Sequence, residues 1–324
     1  MHDSNNDAVD NQYFPADIFT GYHAAKTTFV IEAVKAAKKN EVIILSHINL
    51  LLVAWLIKKT KPSIQIYLLA HGIEIWGALS NHKKLMLPCC NKIISVSNFT
   101  SNKIAAEQGI NHKNLCVLNN CIDPYLVKPT VKLSNTPLAQ KYGINKNDKV
   151  LFTLTRLSAK DRYKGYDFVI HALAQIVKTQ PQVKYILAGS YKAKEKTYLD
   201  TIISNNNLQH HVIITGYLKD EDLAAHFALA TAYVMPSVKE GFGIVFIEAM
   251  YYGLPIIAGN ADGSVDALLN GKLGILIEPE SVDAIVKAVI KIFENPQKYK
   301  PNNELLMDNF GYEAYKKNVE AILN

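Results

Sequence analysis

The sequence is short of several features that would each settle its class. No apolar run reaches the roughly 20 residues that a membrane span needs. The most apolar stretch, Val42 to Ile57, is shorter and carries Ser46, His47 and Asn49, which predicts a buried strand followed by a buried helix. Met1–Asp10 is polar and acidic, without the basic start and apolar core of a secretion signal, so a cytoplasmic protein is expected. Cysteine is scarce. Cys89, Cys90, Cys116 and Cys121 form no C-x-x-C pair and no His/Cys cluster with zinc-like spacing, which predicts reduced, buried thiols and no metal site. No G-x-G-x-x-G follows an early strand, which argues against a dinucleotide-dependent dehydrogenase. No nucleic-acid-binding motif or basic-aromatic interleaving is present, so nucleic acid is not an expected partner.

What is present describes an ordinary globular protein. Apolar residues make up 49% and charged residues 20%, with Gly 16 and Pro 12, which excludes disordered and collagenous classes. A length of 324 residues predicts two domains with separate cores. The net charge of +6 is uneven: residues 1–146 hold 16 Lys/Arg against 9 Asp/Glu, while residues 147–324 hold 19 against 20. The basic half suits anionic lipid head groups or an acidic acceptor, with a solvated face as the alternative.

From Glu41 onward, apolar runs alternate with helical patterns, the pattern of βαβ units around a parallel sheet. Strands are predicted at Val42–Ser46, Ile64–Ala70, Lys92–Val96 and Asn114–Leu118. Helices fall at Leu50–Lys59 and Ser97–Gln108, with Ser97 as cap. Asp123–Asp148, with Pro124, Pro129, Pro137 and Gly143, has no sustained period and reads as the interdomain link. The alternation then restarts at Lys149 and supplies six strands, the last at Gly274–Ile277 before a helix at Val282–Asn295. Three segments are expected: a first domain with its linker over 1–146, a second domain over 147–304, and a terminal helix within 305–324 that packs back across the interface.

Two segments carry chemistry. In Pro236–Met250 a strand runs into a loop holding Glu240, Gly241, Phe242 and Gly243, then into a helix holding Glu248. Glycines at a strand-to-helix turn let backbone approach a ligand, and the free N–H groups of the helix's first turn favour an anion. Glu248, set among apolar residues, is costly to bury unless it accepts hydrogen bonds. The second segment, Thr155–Asp167, places Arg156 and Lys164 directly after the first strand of the second domain.

These residues resemble a known pattern. The Glu240…Glu248 spacing is similar to the "Glu, seven residues, Glu" signature of the retaining glycosyltransferases of family four, also called group 1. Arg156 and Lys164-Gly165 resemble that family's Arg…Lys-Gly element. The resemblance runs from about Val42 to the C-terminus and implies the GT-B architecture: an α/β protein of two Rossmann-like domains facing a cleft. It further implies transfer of a hexose from a nucleotide-diphosphate sugar to an acceptor hydroxyl with retention of configuration, in polysaccharide or glycolipid synthesis. By the same resemblance Glu248 binds ribose, Glu240 contacts the transferred sugar, and the Gly241–Phe242–Gly243–Ile244 backbone lies against sugar and phosphate. Arg156 and Lys164 hold the diphosphate, so no divalent metal and no cofactor is expected, the sugar nucleotide being a substrate. Gly189, Gly216 and Tyr217, at strand ends, frame the nucleotide, and His71 in His71–Gly72 faces the donor sugar.

The partners implied are a UDP- or GDP-sugar donor, a sugar or lipid-linked acceptor, and peripheral contact with the inner face of an anionic membrane. Met1–Asn40 departs from the pattern, having neither the opening apolar strand nor the glycine-rich loop of the first domain. An impaired or non-catalytic sugar-nucleotide-binding protein is therefore the alternative expectation. Lys160 and Arg162 lie in the same segment, but the resemblance selects Arg156 and Lys164, and Lys160 and Arg162 read as exposed loop cations.

Overall fold

The computed structural model describes residues 10–127 and 137–323. Residues 1–9 and 128–136, which belong to the reading of the chain start and of the link, lie outside the described residues. The chain divides into two compact units. One is Met1–Ala70, Glu74–Ile94 and Ile104–Cys116; the other is His71–Ile73, Ser95–Lys103 and Val117–Asn324.

A four-stranded sheet lies mostly within the first unit, the residues Ser95–Lys103 and those from Val117 on being assigned to the other. After α1 (Lys26–Ala37) come β1 (Val42–Leu45), α2 (Leu51–Thr60), β2 (Gln65–Ala70), α3 (Asn81–Met86), β3 (Lys92–Ser95), α4 (Asn98–Gln108) and β4 (Leu115–Val117). The strands lie in sequence order, with β1 parallel to β2 and Ile44 opposite Tyr67. Ile66, Leu68 and Ile93 of the sheet pack with Leu51, Ala54 and Ile57 of α2 in one apolar core. The Ser97 hydroxyl accepts from the Thr100 N–H at 3.0 Å, which caps α4 as its spacing predicts.

The second unit follows a short helix, α5 (Pro137–Lys141), and repeats the βα unit. Its elements are β5 (Lys149–Leu154), α6 (Tyr166–Ile176), β6 (Val183–Ala188), α7 (Ala193–Asn205), β7 (Val212–Gly216) and α8 (Asp220–Leu229). They continue with β8 (Ala232–Met235), α9 (Ile244–Tyr251), β9 (Ile256–Gly259), α10 (Ser264–Ala267), β10 (Ile275–Ile277) and α11 (Val282–Glu294). The six strands are parallel, in the order β10-β9-β8-β5-β6-β7. Because side chains alternate across a strand, Leu151, Tyr185 and Val234 enter the core under α6 and α11. Phe152, Ile186 and Tyr233 enter the opposite core, under α9. Each fully buried large side chain contributes about 1.5–3 kcal/mol of hydrophobic stabilisation.

The segment read as one terminal helix is two, α12 (Asn303–Phe310) and α13 (Tyr312–Leu323), parted at Gly311, whose backbone is extended. The Phe310 carbonyl is taken by the Ile122 N–H at 2.8 Å. Leu306 and Phe310 are buried in the second unit's core, and Phe310 meets Phe242 edge-on at 5.5 Å. All four cysteines are free thiols. Among the described residues no helix is long and apolar enough to cross a membrane.

Candidate active site

The strand order locates the site. From β5 the chain builds outward on one side to β6 and β7, then returns to β8 on the other side of β5 and continues to β9 and β10. Loops leaving the C-terminal ends of β5 and β8 therefore diverge, and ligands of open α/β sheets bind in the crevice at such a switch point. The loop after β5 carries Arg156 and Lys164, and the loop after β8 carries Glu240.

The two loops are locked together. The Val238 N–H donates to the Tyr163 carbonyl at 3.0 Å. Gly165 has φ +78°, and a Cβ there would lie 2.6 Å from the Pro236 carbonyl oxygen, so only glycine permits this approach. Across the junction the Lys164 ammonium forms an ion pair with the Glu240 carboxylate, their side chains only 14% and 13% exposed. Burial, reinforced by the Arg156 guanidinium, lowers the Lys164 ammonium to about 8, while Asp161 and Asp262 oppose the shift. Arg156, 75% exposed, meets the Asp161 carboxylate at 3.1 Å, and Asp161 also accepts from the Ser158 hydroxyl at 2.6 Å.

A cleft of about 360 Å³ opens beside these groups within the second unit. His71, Arg156, Lys164, Glu240, Gly241, Phe242, Gly243 and Ile244 all line it. The Phe242 ring is itself buried, edge-on to Phe310. Gly241 is confined: a Cβ would lie 1.8 Å from the His71 carbonyl oxygen. Its own carbonyl accepts from the Ser97 hydroxyl at 2.5 Å and the Thr100 hydroxyl at 3.2 Å. Ile244 opens α9, so the first-turn amides of that eight-residue helix face the cleft end of the loop.

Other expected residues stand apart from that lining. Gly189 and Gly216 end β6 and β7 and touch one another, the Gly189 N–H donating to the Gly216 carbonyl at 2.9 Å. Tyr217 is 72% exposed. Glu248 lies one turn into α9, partly buried, and among the described residues nothing hydrogen-bonds its carboxylate. Burial, with the Asp123 and Asp220 carboxylates adding to it, pushes Glu248 above the usual carboxylate range.

Arg162 corrects its reading as a loose loop cation. Its guanidinium takes both oxygens of buried Glu195 at 3.0 and 2.9 Å and stacks 3.4 Å over the Tyr198 ring. Tyr166 donates to the same Glu195 at 2.8 Å, so this cation ties the loop to α7. Sequence reasoning also missed Asp262, fully buried after β9, whose carboxylate accepts from the Ser237 hydroxyl, the Glu240 N–H and the Ser264 N–H. The signal was there in Asp262–Gly263–Ser264 directly after a strand, but nothing in the spacing linked it to Glu240.

The profile of the family described as "Glycosyl transferases group 1" matches residues 134–317, more than half of the chain. A GDP-mannose-dependent alpha-(1-6)-phosphatidylinositol monomannoside mannosyltransferase of Mycolicibacterium smegmatis is 30% identical over 171 residues, 50% of this chain and 42% of that protein. The capsular polysaccharide biosynthesis glycosyltransferase CapM of Staphylococcus aureus is 26% identical, over 72% of this chain and 58% of its own length. The chain thus spans about half the length of the curated relatives it matches. Among solved structures, Anabaena HepE in complex with UDP and glucose superposes with a TM-score of 0.77 at 22% identity, covering 91% of this chain and 81% of that one. Sucrose-phosphate synthase of Thermosynechococcus elongatus gives 0.73 at 20% identity, with 92% and 77% covered. These likenesses show the GT-B fold of two Rossmann-like domains, and with the family match over the second unit they establish that this chain belongs to the group 1 glycosyltransferases.

Proposed function

We propose that the chain transfers a hexose from a nucleotide-diphosphate sugar to an acceptor hydroxyl with retention of anomeric configuration. The observation that carries this reading is the convergence of Arg156, Lys164 and Glu240 on one cleft at the switch point of the sheet. As the bond from the anomeric carbon to phosphate breaks, its electron pair leaves with the diphosphate. Arg156 and Lys164 stabilise that charge, the kind of fixed electrostatic aid that needs no rearrangement during reaction. The acceptor hydroxyl forms the new carbon–oxygen bond on the face the phosphate leaves, and its proton passes to a phosphate oxygen. Glu240 then exchanges its ion pair with Lys164 for sugar hydroxyls, and Glu248 accepts from the ribose.

Donor and acceptor classes follow the relatives. The Mycolicibacterium protein is GDP-mannose-dependent by name and HepE was solved with UDP and glucose, so UDP- and GDP-hexoses are the donors to test. A polysaccharide or glycolipid acceptor at the cytoplasmic face of the membrane suits the relatives' named products. In the first unit, exposed Leu52 and Trp55 on α2, with Lys59 5.4 Å over the Trp55 ring, suit peripheral contact with an anionic bilayer. Acceptor-dependent release of UDP or GDP, with the anomer of the product read by NMR, tests the reading. Inversion would refute retention, and donor binding without acceptor-dependent release would favour a sugar-nucleotide-binding protein. Turnover undiminished by EDTA is expected; strict dependence on a divalent cation would count against the two-cation site.

A further inference from the structure

We propose that Asp262 is a positioning residue that fixes the Glu240 carboxylate for recognition of the donor's sugar; the inference rests on the reading of Glu240 given above. The Asp262 side chain is fully buried, yet it faces three donors. One carboxylate oxygen accepts from the Ser237 hydroxyl at 2.8 Å and from the Glu240 N–H at 2.7 Å, and the other accepts from the Ser264 N–H at 2.9 Å. Ser237 and Ser264 are themselves buried, their hydroxyls 3.2 Å apart. The next residue completes the grip, because the Gly263 N–H donates to the Glu240 carbonyl at 2.9 Å.

Both the N–H and the carbonyl of Glu240 are therefore held by consecutive residues of the segment after β9. The contact is close: a Cβ at Gly263 would lie 2.1 Å from the Gly241 carbonyl oxygen. None of these hydrogen bonds involves Lys164, which is the partner Glu240 must give up when the ammonium turns to a diphosphate. With its backbone fixed from β9, the Glu240 carboxylate keeps its place through that exchange. A carboxylate suits the position because three donors converge on two oxygens, and an isosteric amide would turn an N–H₂ toward at least one of them. Burial pushes Asp262 up to about 6, opposed by the bonds to Ser264 and Ser237 and by the Lys164 ammonium.

The experiment compares affinity for the bare nucleotide with affinity for the sugar nucleotide, using calorimetry with UDP and UDP-glucose and with GDP and GDP-mannose on the intact chain. Asp262→Asn is expected to remove most of the affinity gained from the sugar, about tenfold or more, while the nucleotide alone binds as in the parent. Glu240→Ala is expected to lose the same increment, and the double variant to be no worse than Glu240→Ala, since residues acting through one group are not additive. Equal losses for nucleotide and sugar nucleotide in Asp262→Asn, or full additivity in the double variant, would reduce Asp262 to a fold-holding role and overturn the proposal. If Glu240→Ala keeps the sugar increment, the reading of Glu240 fails and takes this inference with it. If Glu240→Ala loses the increment and Asp262→Asn keeps it, only the inference fails. Ser237→Ala, which removes one donor without adding a buried one, carries the test if Asp262→Asn does not fold: a smaller loss confined to the sugar increment supports the proposal, and no such loss overturns it.

Discussion

The loops after β5 and β8 and the segments after β6 and β7 each carry a glycine between a strand and the next helix, Gly165 and Gly241 in the first pair and Gly189 and Gly216 in the second. They differ in the folded protein. Gly165 and Gly241 sit where two loops press together, and the charged groups beside them, Lys164 and Glu240, meet across the junction. Gly189 and Gly216 also have positive φ, at +150° and +78°, but neither lines the cleft, and the ion pairs of the segments that follow them, Arg162–Glu195 and Lys219–Glu221, lie outside its lining as well. Glycine after a strand thus marks a turn in both cases. Whether the turn becomes a site depends on whether it stands at the point where strand order reverses.

The largest effect that would break this contrast concerns the cations. Lys164→Ala is expected to lower turnover by ~10³ and Arg156→Ala by ~10², the scale of losing one charge-stabilising donor, with the buried ammonium mattering more than the exposed guanidinium. Steady-state rates with a saturating donor decide it, and near-parental turnover in both variants would remove the β5 loop from the chemistry. Glu248→Ala, one turn into α9, is expected to weaken UDP or GDP binding by about 1.5–3 kcal/mol whether or not a sugar is attached. Calorimetry showing a loss only for the sugar nucleotide would reverse the roles assigned to the two glutamates.

A pH titration sharpens the comparison further. The Lys164 ammonium, lowered to about 8, is charged below that pH and neutral above it. Nucleotide diphosphate affinity should therefore be level on the acid side of 8 and fall on the alkaline side, by up to about tenfold per pH unit. Lys164→Arg, which stays protonated, should abolish that fall. A parental affinity that is flat to pH 9.5 would show that Lys164 does not bind as a cation. The smallest effect is expected at the other loops. Gly216→Ala puts a Cβ in ordinary contact with Tyr191 at 3.9 Å, and costs ~1–2 kcal/mol of stability through φ alone. Saturated turnover should not change, though the preference between UDP and GDP can shift by about fivefold, roughly 1 kcal/mol. A collapse of turnover in this variant would erase the distinction between the two pairs of loops.

Much of this protein was legible because the determinants are local. Val42–Leu45, Val183–Ala188 and Ala232–Met235 are short apolar runs alternating with helical patterns, which places them in a parallel sheet; the latter two are largely buried, whereas Val42 and Ile44 of the first are exposed. Arg156, Lys164, Glu240 and Glu248 were legible as candidates through the resemblance to the group 1 pattern, whose residue spacing within two short segments they keep. The single terminal helix was misread because Gly311 only weakens a helical pattern. What ends α12 is the capture of the Phe310 carbonyl by Ile122, a contact across 188 positions of chain. Arg162 looked like a free cation because Glu195, its partner, lies 33 residues away on α7. Asp262 was invisible for the same reason: its worth comes from the Glu240 N–H, which only the pairing of β8 with β9 brings within 2.7 Å. Sequence determined which residues bear charge and which elements carry them, since propensity and periodicity act over a few neighbours. Tertiary structure decided which charges meet and which are anchored, because burial and hydrogen-bond geometry depend on elements far apart in the chain.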